Sequence, residues 1–235
     1  MSRPFQFKQF TVLQESAPFK VGTDGVLLGA WVCKKKPLHI LDIGTGTGLI
    51  ALMLAQRFSL AHIDAIEINK QAHDQASKNF KNSPWNSRIH LHNTSLQNYT
   101  PKGSFDMVVC NPPFFIASLK SGKEGKDQAR HSESLQIHEI FKFSTQNLKE
   151  GGSVSLILPA DQLSRTTELA ESYELNLSWI CEVFPAPESK IKRILLEFRK
   201  EKRELRIDQL VIETGSRHAY SDEFKAITKE FYLAH

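Results

Sequence analysis

Two short motifs in this sequence contain residue types that could do chemistry. The first runs from Asp42 to Gly48, with glycine at every second position from Gly44. Glycine lets the backbone turn sharply and lets a ligand lie against bare peptide, although such a turn alone is weak evidence of a site. Glu67 follows at the distance where a carboxylate can accept hydrogen bonds from both hydroxyls of a ribose. Together these residues predict a site for a nucleoside-containing cofactor.

The details of this motif differ from those of a dinucleotide site. The glycine spacing is G-x-G-x-G instead of G-x-G-x-x-G. Asp42 precedes the first glycine, and we expect its carboxylate to repel phosphate and to suit a cationic ligand. S-adenosylmethionine carries both a ribose and a positive charge, so we predict it as the cofactor. The alternative is a glycine-rich turn with only a structural role.

The second motif is Asn111-Pro112-Pro113-Phe114. An exocyclic amine of a base or an amide is a poor nucleophile because its lone pair is delocalised. If the Asn111 side-chain oxygen and the Pro112 carbonyl each accept one N–H, electron density returns to the nitrogen as it attacks a sulfonium methyl group. Phe114 offers a flat face on which a planar substrate can stack. The alternative is a turn that simply ends a strand.

Hydrophobic periodicity predicts the elements that must position both motifs. The predicted strands are 38–43, 62–68, 89–92, 105–110, 153–158, 175–184 and 191–199, and the predicted helices are 49–58, 71–80, 134–148 and 161–172. This alternation predicts a doubly wound, mostly parallel α/β sheet with an antiparallel pair at one edge. The two motifs should then meet at the crevice where such sheets bind ligands.

Residues 1–37 precede this sheet as a short N-terminal extension, and we assign residues 38–235 to one α/β domain. Residues 205–235 form a tail rich in aromatic and charged side chains, outside the predicted sheet. The stretch 118–131 is polar and contains glycine, so we predict a mobile loop next to the second motif.

The composition excludes several classes of protein. The chain has 235 residues, 40% of them hydrophobic and 24% charged, which is typical of one soluble globular unit. Its apolar runs are far shorter than the ~20 residues of a membrane span, and no secretory signal is recognisable. We therefore expect a cytoplasmic location. The three cysteines lack a C-x-x-C spacing and the histidines do not cluster with other ligands, so we expect no metal.

Charge is distributed unevenly along the chain. The formal net charge of +4 permits an anionic partner without demanding one. Residues 190–206, however, contain eight basic against three acidic side chains. This run is a candidate phosphate-facing surface, and a solvated surface without a ligand is an equally good interpretation.

In their order and spacing, the two motifs and Glu67 resemble class I S-adenosylmethionine-dependent methyltransferases of the N-methylating branch. Residues 7–12, 20–31 and 224–233 are similar more specifically to the tRNA1(Val) (adenine-37-N6)-methyltransferase family, so the resemblance covers essentially the full chain. It implies a seven-stranded sheet, residues 22–29 lying over the methionine end of the cofactor, and methylation of N6 of the adenine beside a valine tRNA anticodon.

The resemblance also implies roles for individual residues. The predicted catalytic residues are Asn111, Pro112 and Phe114, and the predicted cofactor-binding residues are Gly22, Thr23, Asp24, Asp42, Gly44, Gly46, Gly48, Glu67, Ser95, Leu96 and Asn111. One position departs from the superfamily, because Ser95 stands where an acidic residue often contacts the adenine amino group of the cofactor.

The expected partner is the anticodon stem-loop of a tRNA, bound by a monomer. A loop adenine can be unstacked cheaply and presented edge-on to Asn111, while phosphates are held by basic side chains. The predicted substrate-binding residues are Pro113, Phe115, Lys123, Arg130, Lys192 and Arg193, and further candidates for the phosphate contacts are Lys34, Lys35, Lys36, Lys120, Lys126 and the rest of the 190–206 run.

Other functions use the same motifs. The planar substrate could be guanine N2 in ribosomal RNA or glutamine N5 in a release factor. The glutamine enzymes usually carry Tyr at the position of Phe114 and a helical N-terminal domain, whereas only about 37 residues precede the first strand here. A non-catalytic RNA-binding module on the same fold is the alternative from another class, and loss of cofactor binding would favour it.

Overall fold

Strands and helices alternate along the chain, as the hydrophobic periodicity predicts. The computed structural model describes residues 3–15, 20–32, 36–113, 136–216 and 218–233. The strands are β1 (Phe5–Gln6), β2 (Thr11–Val12), β3 (His39–Ile43), β4 (His62–Ile66), β5 (Ile89–His92), β6 (Phe105–Cys110), β7 (Leu148–Pro159), β8 (Asn176–Phe184), β9 (Arg193–Arg199) and β10 (Arg206–Val211). The helices are α1 (Thr23–Trp31), α2 (Leu49–Arg57), α3 (Lys70–Lys81), α4 (Ile137–Asn147), α5 (Leu163–Glu171) and α6 (Asp222–Thr228).

The main sheet confirms the doubly wound α/β prediction and corrects its strand count. Its order is β10-β8-β9-β7-β6-β3-β4-β5. Neighbours run parallel except at β9, which is antiparallel to both β7 and β8. The prediction of seven strands was wrong, because β10 adds an eighth, parallel to β8. The antiparallel pair formed by β8 and β9 was predicted correctly, but β10 occupies the edge.

The polar, exposed residues of β10 explain why the sequence predicts a tail outside the sheet at this position. An edge strand leaves much of its surface in solvent, so its sequence lacks the continuous apolar run of an interior strand. Ile207 is 58% exposed and Arg206 and Gln209 are also exposed, whereas Leu210 is buried. The register with β8 nevertheless extends from Arg206 opposite Trp179 to Val211 opposite Phe184.

The start of β7 also differs from its predicted position. The strand begins five residues early because the chain forms an irregular pairing with β6, where Phe105 lies opposite Leu148 but Met107 lies opposite Ser153. Gly151 adopts a φ of +72° within the extra residues, a conformation that glycine permits at little cost. The β6 and β5 boundaries match their predictions.

Two apolar layers cover the sheet. Residues of α1, α2, α3 and α6 pack on one face, and residues of α4 and α5 pack on the other. The N-terminal extension and the tail belong to the first layer, where Phe7 stacks on Tyr232 with ring centroids 5.8 Å apart and the Lys8 amide donates to the Phe231 carbonyl. The extension therefore packs on the same core as the sheet. None of the described helices is long and apolar enough to cross a membrane.

Candidate active site

The turn between β3 and α2 has a left-handed backbone at each of its glycines. The φ angles of Gly44, Gly46 and Gly48 are +68°, +59° and +86°, which other residues adopt only at a cost. A Cβ atom added at Gly44 would meet nothing within 4 Å, and one at Gly46 only a backbone oxygen at 4.0 Å. One at Gly48 would lie 2.4 Å from the ring of Phe80. The first two glycines thus leave open space beside bare peptide, whereas the third packs against α3.

Asp42 lies at the buried end of β3, beneath this turn. Its Oδ2 accepts hydrogen bonds from the Thr45 hydroxyl at 2.6 Å and the Ala51 amide at 3.2 Å, so the side chain joins the turn to the start of α2. Burial raises its pKa to about 7. The expectation that this carboxylate repels phosphate and suits a cationic ligand stays a prediction. Oδ1 has no hydrogen-bond partner among the described residues, and a role for Asp42 beside the cofactor stays a prediction.

Glu67 follows β4 and contacts the glycine turn directly. Its Oε2 accepts from the Gly46 amide at 2.9 Å, and its Oε1 accepts from the Asn69 amide at 2.8 Å. A carboxylate can accept about four hydrogen bonds, so these two leave capacity for ribose hydroxyls. The structure thus brings the glycines and the Glu67 carboxylate together, as their spacing in the sequence predicts.

The turn is also held from α3 by Asn79, a residue that the sequence analysis missed. Its amide nitrogen donates to the Thr47 carbonyl at 2.8 Å and to the Leu13 carbonyl at 2.9 Å, and its oxygen accepts from the Leu13 amide at 2.9 Å. Only 1% of Asn79 is exposed. A signal for it exists in the sequence, because Asn79 is polar yet lies at helical spacing on the face that also presents Ala76 and Phe80.

The end of β5 carries the departure from the superfamily pattern. Ser95 is half-buried and precedes a single 3-10 turn, Leu96–Asn98, whose Leu96 packs in the core with Ile43 and Ile66. Asn93 was not predicted, yet its amide donates to the Glu67 carbonyl at 2.8 Å. The chain after β5 is therefore tied to the chain after β4, and contacts of Ser95 and Leu96 with a cofactor stay predictions.

Asn111 and Pro112 follow β6 beside the glycine turn. Cys110, the last residue of β6, lies opposite Ile43, which directly precedes Gly44. Both motifs therefore follow neighbouring parallel strands, and they lie side by side at the carboxyl ends of those strands, as predicted. Asn111 is half-buried, Pro112 is buried and Pro113 is exposed. The remaining predicted residues Phe114, Phe115, Lys123 and Arg130, and the candidates Lys34, Lys35, Lys120 and Lys126, lie outside the described residues.

The N-terminal end of α1 reaches this edge of the sheet from the extension. Gly22 and Thr23 are exposed, whereas the residues of α1 after Asp24 are buried, so only the first part of the 22–29 stretch can face a ligand. Asp24 forms an ion pair with Arg193, whose Nε donates to the Asp24 Oδ2 at 2.9 Å. Arg193 lies opposite Pro159 at the carboxyl end of β7.

The structure divides the basic run 190–206 between opposite ends of the sheet. Lys190 and Lys192 precede the antiparallel strand β9 and Arg193 begins it, so all three stand at the end of the sheet that carries Asn111. Lys200, Lys202, Arg203 and Arg206 follow β9, about 20 Å away for a strand of seven residues. Arg199 is buried in an ion pair with Glu197 at 2.8 Å. The prediction of one phosphate-facing surface was therefore wrong, and only the first three can act near Asn111.

Potential metal ligands are scattered in the described part of the chain. No group of three His, Cys, Asp or Glu side chains there is close enough to hold a metal ion. Cys110 and Cys181 are buried, and burial raises the pKa of the Cys181 thiol to about 12.

The different surroundings of the glycines predict different effects of substitution. Gly48→Ala should lower the free energy of unfolding by about 2–5 kcal/mol, because the new methyl group overlaps the Phe80 ring in a left-handed conformation. Gly46→Ala is the matched control: its backbone cost is similar, about 1–2 kcal/mol, but it causes no overlap. Urea unfolding of both variants measures the difference. Equal losses of stability would contradict the packing role of Gly48.

The raised pKa of Asp42 predicts a pH-dependent stability. The folded state binds the Asp42 proton more tightly than the unfolded chain, so the contribution of Asp42 is fully present below about pH 4 and lost as the pH rises through about 7. Asp42→Asn cannot titrate. We expect its free energy of unfolding, relative to the unsubstituted chain, to rise by up to about 4 kcal/mol from pH 4 to pH 8. A difference independent of pH would show that Asp42 titrates normally.

Comparisons with known proteins agree with this geometry. Residues 20–176 match the family model of the methyltransferase small domain. Two solved structures share the fold: a predicted O-methyltransferase from Agrobacterium tumefaciens has a TM-score of 0.68 at 17% identity, covering 88% of this chain and 96% of its own. A type I restriction-modification methyltransferase subunit from Streptococcus thermophilus has a TM-score of 0.61 at 15% identity, covering 92% and 53%. At these identities the likeness concerns the fold alone.

The sequence relatives are more specific. A Flavobacterium psychrophilum protein named tRNA1(Val) (adenine(37)-N6)-methyltransferase is 45% identical over 97% of this chain and 99% of its own length. A Bacteroides fragilis protein of the same name is 43% identical over 99% of both chains. The chain therefore belongs to the tRNA1(Val) (adenine(37)-N6)-methyltransferase family.

Proposed function

We propose that this chain transfers the methyl group of S-adenosylmethionine to the exocyclic N6 of an adenine in a tRNA. The observation that carries the proposal is the meeting of the glycine turn, Glu67 and Asn111 at the carboxyl ends of β3, β4 and β6, which are neighbours in the sheet. The names of the full-length relatives support adenine 37 of tRNA1(Val) as the substrate.

The residues of this edge fit S-adenosylmethionine. Gly44 and Gly46 border open space in which a ligand can approach bare peptide, and Gly46 lies within hydrogen-bond distance of the Glu67 carboxylate. Glu67 would accept hydrogen bonds from the ribose, and residues 22–24 would stand at the methionine end. When bound, the cofactor supplies an electrophilic methyl group on a cationic sulfur.

Asn111 and Pro112 would prepare the nucleophile. The Asn111 side-chain oxygen and the Pro112 carbonyl each accept one N–H of the adenine amino group, which keeps the lone pair on nitrogen directed at the methyl carbon. Positive charge that develops on N6 is stabilised by the same two oxygens. The surplus proton then leaves N6 for water, so the reaction needs no dedicated base. Phe114 would stack on the adenine, and Pro113 and Phe115 would border it.

The tRNA would be held at the same edge of the sheet. Lys190 and Lys192 are exposed there and can contact phosphates. The phosphate contacts predicted for Lys123 and Arg130 belong to the same proposal. A cytoplasmic location and a monomeric state complete the proposal. No observation favours guanine N2, glutamine N5 or a non-catalytic RNA-binding module over this function.

The substrate is tested by supplying labelled S-adenosylmethionine in parallel to unmodified total tRNA, ribosomal RNA and a release-factor preparation. We expect N6-methyladenosine in one tRNA species by nucleoside mass spectrometry. Label in ribosomal RNA or protein would overturn the substrate, and cofactor binding without any transfer would favour the binding module.

The role of Asn111 predicts a separation of catalysis from binding. Asn111→Ala should lower the rate of methyl transfer by about 100-fold or more, because one of two aligned acceptors is lost. Its dissociation constant for S-adenosylmethionine should stay within about twofold of the original, since only weak contacts to the cofactor change. Single-turnover kinetics and equilibrium binding measure the two effects. Equal losses in both would contradict the assigned role.

The role of Glu67 predicts weaker cofactor binding. Glu67→Ala should raise the dissociation constant of S-adenosylmethionine about tenfold, which corresponds to the loss of ~1–2 kcal/mol in charge-assisted hydrogen bonds. Because Glu67 also holds the Gly46 amide, stability should fall as well, so binding is measured on protein shown to be folded. Glu168→Ala, on the exposed surface of α5, is a control for removal of one negative charge. An unchanged dissociation constant in Glu67→Ala would place the ribose elsewhere.

A further inference from the structure

Arg193 was predicted to contact RNA, but in the structure its side chain is engaged within the protein. Its Nε donates to the Asp24 Oδ2 at 2.9 Å, and one terminal nitrogen donates to the Lys192 carbonyl at 3.1 Å. The side chains of Arg193 and Asp24 are 27% and 26% exposed. Hydrogen bonds between ionised groups are about twice as strong as neutral ones, and partial burial protects this pair from screening by salt.

The ion pair joins two parts of the chain that reach the candidate site separately. Asp24 lies in the first turn of α1, and Arg193 begins β9 opposite Pro159 at the carboxyl end of β7. The direction in which α1 starts is not set by a side-chain cap, since Gly22 occupies the N-cap position. Besides the packing of α1 on α2, polar contacts to the sheet and to the extension therefore help to place its first residues.

A second contact of this kind lies just before α1. The Gln14 side chain accepts from the Val21 amide at 2.9 Å and donates to the Arg3 carbonyl at 2.8 Å, and only 9% of Gln14 is exposed. Gln14 thus fixes the approach to Gly22 within the extension. The contact between Asp24 and Arg193 then fixes the beginning of α1 against the sheet, at the edge that carries Asn111.

We propose that Arg193 is a positioning residue for methyl transfer: through Asp24 it holds residues 22–24 in place at the cofactor site, and it is not itself a phosphate contact. This inference rests on the proposed function for the place of the cofactor. Lys192, the residue before Arg193, is exposed, and the phosphate contact is assigned to Lys192 instead of Arg193.

The test is a double-mutant cycle on cofactor binding. Arg193→Gln and Asp24→Asn should each raise the dissociation constant of S-adenosylmethionine about fivefold, the effect of losing one charge-assisted contact. The double variant should be no weaker than either single variant, because both remove the same interaction. Arg193→Lys keeps the charge and should bind within about twofold of the original.

The salt dependence of tRNA affinity separates positioning from phosphate contact. Lys192→Gln should reduce the slope of log affinity against log salt concentration by about 0.7–0.9, the value for one lost phosphate contact, and should leave cofactor binding unchanged. Arg193→Gln should keep the original slope. The probe is unmodified tRNA without cofactor, and melting temperatures show that each variant is folded.

Three results would overturn the inference. One is a change in slope for Arg193→Gln with unaltered cofactor affinity, which would make it a phosphate contact. The second is additive losses in the double variant, which would mean independent roles. The third is a lower melting temperature with unchanged cofactor affinity, which would mean a structural role alone. Failure of the proposed function is distinguishable, because cofactor coupling between Asp24 and Arg193 can be present even when no tRNA is methylated.

Discussion

The backbone amides of Gly44 and Thr45 both donate to one carbonyl oxygen, that of Ile66 at the end of β4. These two hydrogen bonds continue the pairing of β3 and β4 past the last strand residue, so they place the glycine turn against the chain that follows β4. Glu67 directly follows Ile66, and its Oε2 accepts from the Gly46 amide. The candidate cofactor site depends on this junction, because the open peptide of the turn and the carboxylate are held in one fixed relation.

Two buried polar side chains, Asp42 of β3 and Asn79 of α3, hold the glycine turn in place. Asp42 is fully buried under it, and the raised pKa of this carboxyl reflects the cost of placing a charge there. Two hydrogen bonds, from Thr45 and Ala51, offset part of that cost. Asn79 supports the turn from α3 and at the same time holds Leu13 of the extension. Hydrogen bonds to Asp42 and Asn79 thus hold the glycine turn in place, and such pre-organisation lowers the entropy that ligand binding must remove.

The N-terminal extension packs on the main fold although it precedes the sheet in the chain. Its aromatic residues share a core with the C-terminal tail, and its polar contacts through Gln14, Asn79 and Asp24 fix the segment that leads into α1. Apolar packing holds the extension on the fold without specifying where its exposed backbone lies. The position of that backbone is set by the directional hydrogen bonds of these three side chains.

The sequence by itself determined the local requirements of the site. Glycine adopts the left-handed conformation at little cost, so its alternation from Gly44 indicated a sharp turn. Gly44, Glu67 and Asn111 each follow a strand, and the carboxyl ends of these strands must lie side by side once the sheet is parallel. The pattern of apolar residues was therefore sufficient for the fold class, most elements and the meeting of the two motifs. Only the tertiary structure decided the contacts between residues far apart in the chain. Arg193 pairs with Asp24 across 169 positions, β10 joins the sheet despite its polar surface, and the reversal of direction at β9 sends one basic run to two ends of the molecule. Such contacts depend on how finished elements pack, and that packing leaves no periodic signal in the residues that make them.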